Sequence, residues 1–199
     1  MTLTDGYHEI PNGRLAAVVT YLEMFGAPEA PRLKTSPDRG IRRVDKPDLG
    51  WYRNLFRAIG RDWLWWSRLR MSDTELAAII HDPGVEVFAL EENGGAKGLI
   101  ELDNRAWPDV ELAFFGVVPE LLGQGAGAGL MAFAIEHVWS RSAKRFWLHT
   151  CSLDHPRALG FYRKWGFRPY ARGIEIAPDP RLTGDLPRDA APQIPLIEP

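Results

Sequence analysis

A strand that runs into a series of glycines and then into a helix is the feature that most constrains this chain. The apolar residues 112–118 predict a buried strand, and Pro119 ends it because proline has no N–H for a ladder hydrogen bond. Glycines follow at positions 123, 125, 127 and 129, and from Leu130 apolar residues recur at helical spacing. Such a turn leaves backbone N–H groups free at the positive end of a helix dipole, where phosphate groups bind.

Two common kinds of phosphate-binding turn fit this stretch poorly. A nucleotide P-loop needs Gly-Lys-Ser/Thr, but Gly129 is followed by Leu130 and Met131. A dinucleotide fingerprint is formally present from Gly123 to Ala128, with an acidic residue further along the chain. That fingerprint normally opens a series of parallel βαβ units, whereas the chain after this turn has room for about one.

The turn resembles the cofactor loop of the GCN5-related N-acetyltransferase superfamily. The family pattern is Gln/Arg-x-x-Gly-x-Gly/Ala after a strand that ends Val-x-Pro. Gly125 and Gly127 match its glycines, and residues 117–120 match the lead-in. Leu122 departs from the pattern, because the family has glutamine or arginine there. The departure removes one polar anchor and leaves the backbone cradle intact.

A second stretch, residues 155–167, resembles the later motif of the same family, Asn-x-x-Ala-x-x-x-Tyr-x-x-x-Gly-Phe. The matching residues are Ala158, Tyr162, Gly166 and Phe167. His155 stands where the family usually has asparagine, and it can still donate one hydrogen bond and accept another. Two motifs in order, separated by one helix and one strand, are more specific than either alone. The resemblance covers roughly residues 41–176.

Composition limits the classes of protein that the chain can belong to. Its 199 residues are 45% hydrophobic, enough for one domain with extensions. The formal charge of −2 favours no nucleic-acid partner, and no apolar run approaches the roughly 20 residues of a membrane span. The single cysteine, Cys151, excludes a disulfide framework and a cysteine-based zinc site, so we expect no metal. Without a signal-peptide pattern at the N-terminus, a cytoplasmic protein is expected.

The order of the predicted elements indicates an α+β fold. An antiparallel meander of strands (85–90, 97–102 and 110–118) precedes the glycine turn, and a strand, a helix and a last strand follow it. The resemblance implies an α/β/α sandwich of the acyl-CoA N-acyltransferase type. Its mixed, mostly antiparallel central sheet would have about six to seven strands, with about four helices. We expect an N-terminal extension with an added strand (1–40), the acetyltransferase domain (41–176) and a loosely ordered proline-rich tail (177–199) that either lies over the domain or reaches a partner.

The resemblance implies that an acetyl group moves from acetyl-CoA directly to a primary amine in a ternary complex. Tyr162 matches the family's proton donor to the leaving thiolate; a buried tyrosine with a structural hydrogen bond is the alternative. The residues expected to bind the co-substrate are Phe115, Gly116, Val117, Gly123, Gln124, Gly125, Ala126, Gly127, Ala128, His155 and Phe161.

The acceptor ammonium must lose a proton, and Glu111 is the first candidate base. If the turn after the preceding strand centres near Ala106, Glu101 lies opposite Glu111, and two neighbouring carboxylates would raise one pKa. His149 is the alternative base. Cys151 is expected to be a buried thiol, since the family transfers the acetyl group without a covalent enzyme intermediate.

Four of the eight tryptophans fall between positions 51 and 66. They suit either core packing or an aromatic wall that holds an ammonium by cation–π attraction, and Trp63, Trp66 and Glu101 are the candidate acceptor contacts. The amine itself cannot be read from the sequence. A non-catalytic acyl-CoA-binding module and a nicotinamide-dinucleotide-binding protein are the rival functions. The resemblance also allows a homodimer.

Overall fold

The computed structural model describes residues 4–28 and 39–199. Its strands are β1 (Arg14–Met24), β2 (Arg39–Arg43), β3 (Val85–Glu92), β4 (Gly95–Asp103), β5 (Asp109–Val117), β6 (Arg145–Cys151) and β7 (Arg168–Pro178). They form one seven-stranded sheet in the order β2-β3-β4-β5-β6-β1-β7. Every neighbouring pair is antiparallel except β5 and β6, which are parallel. The predicted mixed, mostly antiparallel sheet is therefore confirmed.

Five helices accompany the described strands: α1 (Leu49–Gly60), α2 (Ser67–Arg70), α3 (Asp73–Ile80), α4 (Ala126–Trp139) and α5 (Ala158–Lys164). The Asp48 carboxylate caps α1 by accepting the N–H of Trp51. Ser72 and Glu75 form a capping box at the start of α3. The pattern did not predict α2, because a single helical turn is too short to show a 3.6-residue period.

Helices cover both faces of the sheet, as a sandwich requires. On one face, Tyr52 of α1 donates to the carboxylate of Glu101 on β4. On the other face, Phe88 of β3, which pairs with Ile100, packs edge-on against Phe133 of α4 with ring centroids 5.0 Å apart. Successive residues of a strand point to opposite faces, so α1 and α4 sandwich the sheet. The predicted α/β/α architecture is confirmed.

The parallel pair at the centre of the sheet is very short. β5 and β6 are paired only where residues 109–111 meet residues 145–147. Beyond that point the strands separate, so residues 112–117 have β4 on one side and no described strand on the other. A gap therefore opens in the middle of the sheet and widens toward the glycine turn that follows β5.

The last residues of the chain pack on the domain, where the sequence suggested a loosely ordered tail. Leu186, Ala190 and Ala191 form a second small hydrophobic cluster with Leu64. The Asp179 carboxylate and the Arg181 guanidinium, both almost fully buried, lie 2.7 Å apart. The sequence did not predict this packing, because side-chain contacts hold the segment in place and it has no helix or strand periodicity.

The division into extension, domain and tail stays a prediction, and residues 1–3 and 29–38 of the predicted extension lie outside the described residues. Its expected strand is β1, which is integral to the sheet between β6 and β7. None of the helices in the described ranges is long and apolar enough to cross a membrane.

Candidate functional site

The glycine turn forms an open cradle of backbone N–H groups at the start of α4. Gly123 and Gly125 both have φ of +78°, a left-handed conformation that favours glycine. Among the described residues, the amides of Gly123, Gly125 and Ala126–Ala128 have no acceptor within the chain. A Cβ added at Gly123, Gly125 or Gly127 would meet no atom of the described residues within 4 Å. The cradle thus combines free donors, a helix N-terminus and unfilled space.

Arg39 braces this cradle from outside the predicted domain. Its guanidinium donates to the main-chain oxygen of Gln124 at 3.0 Å and to the Gln124 side-chain oxygen at 3.1 Å. Glu92 holds the same guanidinium at 2.6 Å. No sequence pattern indicates this role for Arg39, because it lies in a short edge strand more than 80 residues before the turn. It places a guanidinium, paired with Glu92, beside the free amides.

Three of the predicted residues meet along the gap between β5 and β6. The ring of Phe115 stacks on Phe161 of α5 with centroids 5.8 Å apart, and it meets Tyr162 edge-on at 6.2 Å. The backbone of Phe115 lies on the unpaired edge of β5. An extended ligand lying in the gap would therefore contact both motifs at once.

The Tyr162 hydroxyl is poised to remain protonated. It is half-buried and has no hydrogen-bond partner among the residues that the structure describes. Burial, together with the negative charge of Asp154, raises its pKa well above the usual value. A neutral phenol with a free hydroxyl can donate a proton to a developing anion.

Asp154, after β6, is an anionic centre, and it is the acidic residue that accompanies the dinucleotide fingerprint in the sequence. Its carboxylate accepts hydrogen bonds from Trp65 Nε1 at 3.3 Å, Thr150 Oγ1 at 2.7 Å and the N–H of Cys151 at 2.8 Å. Burial and the Asp154 charge raise the pKa of the Cys151 thiol to about 11. A thiol held neutral in this way is a poor nucleophile, which agrees with the expected non-catalytic role of Cys151.

The two candidate bases lie side by side. His149 Nδ1 is 3.6 Å from Glu111 Oε1, on adjacent strands beside the parallel pairing. The neighbouring Glu111 carboxylate raises the pKa of His149, and this effect exceeds the opposing effect of burial. Both side chains are partly exposed, so the pair can exchange protons with water.

The expected pairing of Glu101 with Glu111 is wrong. The register places Glu111 opposite Asp103 and Glu101 opposite Phe114, with a register shift between them. The turn centres at Trp107, one residue later than assumed, and this moves the partner by two positions. Glu101 is fully buried, where it accepts hydrogen bonds from Tyr52 and, at 2.5 Å, from Arg68. Its role in acceptor binding stays a prediction and would operate through Arg68.

The tryptophan segment, residues 63–66, lies across the gap, but its three indoles have different surroundings. Trp63 meets His155 edge-on with centroids 4.9 Å apart, whereas Trp66 lies under the Arg70 guanidinium at 4.2 Å. Trp65, which was not selected from the sequence, spans from Phe114 on β5 to Asp154 beyond β6. Acceptor contacts from Trp63 and Trp66 stay predictions.

His155 is uncharged in this setting. Burial and the nearby Arg157 charge lower its pKa, and its Nδ1 accepts the N–H of Arg157 at 3.0 Å. Its other ring nitrogen is left to donate, so the asparagine position of the motif still carries a donor. Contact between His155 and the co-substrate stays a prediction.

Solved structures share this fold. A conserved protein of unknown function from Staphylococcus epidermidis ATCC 12228 is 16% identical (TM-score 0.60), over 84% of this chain and 63% of that one. A GCN5-related N-acetyltransferase from Sphaerobacter thermophilus is 13% identical (TM-score 0.63), over 81% and 51%. The ribosomal-protein-S18-alanine N-acetyltransferase from Escherichia coli is 17% identical (TM-score 0.56), over 71% and 94%. The chain thus spans less than two thirds of the first two proteins.

The sequence comparisons give one negative result and one family match. No curated protein matches the chain significantly. Residues 52–167, more than half of the chain, match the profile of the acetyltransferase (GNAT) family. That range contains the glycine cradle, the gap between β5 and β6, and Tyr162. The chain belongs to the acetyltransferase (GNAT) family.

Proposed function

We propose that the protein transfers an acetyl group from acetyl-CoA to a primary amine, directly within a ternary complex. The observation that carries this proposal is the continuous path from the open cradle, along the unpaired edge of β5, to the free hydroxyl of Tyr162. A nucleotide diphosphate suits the cradle, and an extended thiol-bearing arm suits a strand edge. The family supplies acetyl-CoA as the molecule that joins the two.

The cradle would hold the diphosphate through backbone donors. The amides of Gly123 and 125–128 have no acceptor in the described chain, and the Arg39 guanidinium, paired with Glu92, holds the loop at Gln124. Donors that are already in place cost little reorganisation when an anion binds. The free edge of residues 115–117 would pair with the amides of the pantetheine arm, as a neighbouring strand would.

Tyr162 is the proposed acid. When the amine attacks, the thioester carbonyl gains negative charge, which an N–H near Val117 can stabilise. The sulfur then leaves as a thiolate that must be protonated. The raised pKa keeps Tyr162 protonated at neutral pH, and its hydroxyl, which has no partner among the described residues, is free to turn toward the sulfur.

Glu111 is the proposed base, acting with His149. A lysine-like ammonium has a pKa of about 10.4, so the acceptor arrives protonated at neutral pH. The Glu111 carboxylate can take its proton, directly or through water, and the adjacent imidazole can relay that proton to solvent. His149 acting as the base itself is the alternative, and the pH profile of a Glu111→Gln variant distinguishes the two.

The experiment that tests the proposal is a screen of amines for thiol release from acetyl-CoA, with the wild type and a Tyr162→Phe variant. Turnover of any amine that Tyr162→Phe loses, at unchanged acetyl-CoA affinity, supports it. Acetyl-CoA binding without thiol release for any amine would favour the non-catalytic module. Stabilisation by NAD and not by acetyl-CoA would favour the nicotinamide alternative. Cytoplasmic location and a homodimer stay predictions.

A further inference from the structure

Residues 61–70 lie between the gap in the sheet and the C-terminal segment. On the gap side, Trp65 donates to Asp154, and Arg68 donates to the buried Glu101 at 2.5 Å. Arg68 also lies over the ring of Phe114, 4.9 Å from its centroid. This side of the segment faces the sheet, and Trp65 lies against Gly116, within the strand edge of residues 115–117 that the proposed function uses.

The opposite side of the segment is held by the tail. Leu64 is buried against Leu186, Ala190 and Ala191. It has φ of +54°, a conformation that a leucine keeps only where its surroundings impose it. Because Leu64 separates Trp63 from Trp65, its anchoring under the tail fixes the backbone from which both indoles project.

Polar contacts tie the same two segments together. Arg70 of α2 places Nε at 2.9 Å and Nη2 at 2.7 Å from Asp185 Oδ2. Further links join Arg61 to Asp189 at 2.7 Å and the Gln193 side chain to the main-chain oxygen of Asp62 at 2.6 Å. The Asp185 side chain is only 14% exposed, so its ion pair is shielded more than an ordinary surface pair.

The tail is itself rigidly built. The Arg181 guanidinium is 2% exposed and pairs with Asp179. It also donates to the main-chain oxygens of Ile194 at 2.8 Å and Pro195 at 3.2 Å. The Asp179 amide donates to Gly13 at the start of β1. A loop closed on one buried arginine and anchored to the sheet can hold a neighbour in place.

We propose that Asp185 is a positioning residue for the acceptor site: through Arg70 it holds α2 and the preceding tryptophans against β5, so the C-terminal segment sets which amines the enzyme accepts. The inference rests on the proposed function. Asp185 lies outside the matched family range of 52–167, whereas the tryptophans and Arg70 lie inside it. Among the described residues, no hydrogen bond or ion pair joins the glycine cradle to the tail, so we expect acetyl-CoA to bind Asp185 variants with nearly unchanged affinity.

The first test compares steady-state kinetics of three variants with the best amine from the screen. Asp185→Asn should raise the KM for the amine about tenfold, since small displacements of a positioning wall are costly. Its dissociation constant for acetyl-CoA should stay within about twofold of the wild type. Asp185→Glu should recover most of the loss. The matched control is Glu198→Gln, which removes an exposed ion pair with Arg188 in the same tail and should change neither quantity.

The second test reads the position of the indoles without turnover. In protein labelled with 5-fluorotryptophan, both Asp185→Asn and Arg70→Lys should shift the fluorine resonances of Trp63 and Trp65. An unchanged amine KM in Asp185→Asn, equal losses in amine KM and acetyl-CoA affinity, or a shift confined to Trp66 would overturn the inference. If no amine is turned over, the proposed function fails, while the fluorine spectra still decide whether Asp185 positions the tryptophans.

Discussion

Gly116 on β5 lies directly beneath the indole of Trp65. A Cβ added at Gly116 would come within 3.2 Å of Trp65 Cη2 and 2.5 Å of Ile59 Cγ2. Glycine in the middle of a strand is otherwise unfavourable, and here it permits a close approach of α1 and the tryptophan segment to the gap. The contact explains how an aromatic wall comes so near the free edge of β5.

Replacing Gly116 by alanine should therefore displace Trp65. Overpacking of this kind costs about 1–3 kcal/mol of unfolding free energy, measurable by chemical denaturation. The fluorine resonance of Trp65 should move as well. Gly40→Ala is the control, because Gly40 also lies in a strand and a Cβ there meets no described atom within 4 Å. Equal stability of the two variants would show that Trp65 does not rest on Gly116.

Gly127→Ala should separate stability from acetyl-CoA binding. Gly127 lies in the first turn of α4, and a Cβ there meets no neighbouring atom within 4 Å, so alanine should stabilise the helix by about 0.5–1 kcal/mol. The same methyl group would occupy the cradle, and calorimetry should show weaker binding of acetyl-CoA.

The control for this experiment is Gly129→Ala in the same helix. Two helical positions are about 200° apart around the axis, so this methyl group points away from Gly127's side of the helix. It should give a similar gain in stability with unchanged affinity. If Gly127→Ala and Gly129→Ala bind acetyl-CoA with equal affinity, the cradle is not the binding site of the diphosphate.

Tyr162→Phe should lower kcat by about 10² to 10⁴ while the affinity for acetyl-CoA is retained, because only the proposed proton donor is lost. Rapid-quench kinetics of thiol release measure the chemical step. Tyr170→Phe, at an exposed tyrosine of β7, is the control. A Tyr162→Phe enzyme with wild-type turnover would assign the tyrosine a packing role.

The Glu111–His149 pair gives a prediction in pH. Because Glu111 raises the pKa of His149, Glu111→Gln should lower that pKa toward the unperturbed value of about 6.5, as NMR titration of the imidazole would show. A pKa raised by folding adds stability that is fully present below about pH 6.5 and disappears as the pH rises through the folded-state pKa. Below about pH 6.5 the wild type should thus have a larger unfolding free energy than Glu111→Gln. Above the folded-state pKa of His149 this difference should disappear. If the imidazole titrates identically in the wild type and in Glu111→Gln, Glu111 does not raise the pKa of His149.

The sequence predicted the parts of the fold that repeat a period or a motif. The glycine turn, the meander that enters it and the helix with Tyr162 were all identified, because local spacing determines them. The pairing of Glu101 was predicted wrongly because register depends on where a turn closes, and a one-residue error moves the partner by two positions.

The sequence patterns did not predict contacts between residues far apart in the chain. Arg39 reaches Gln124 and Asp185 reaches Arg70 across more than 80 residues, and neither contact leaves a periodic signal. Trp65 had one clue, the glycine at position 116, whose small size indicates a close neighbour without saying which. Side-chain anchors of this kind are visible only in three dimensions.

Titration of isotope-labelled protein with acetyl-CoA, followed through its backbone amide NMR signals, tests the binding of the diphosphate most directly. The amides of Gly123, Gly125 and 126–128 should show the largest shifts, and those of the C-terminal segment should stay unchanged. Saturation by acetyl-CoA with the glycine amides unmoved, or no binding at all, would contradict the proposed site and the acetyl transfer that depends on it.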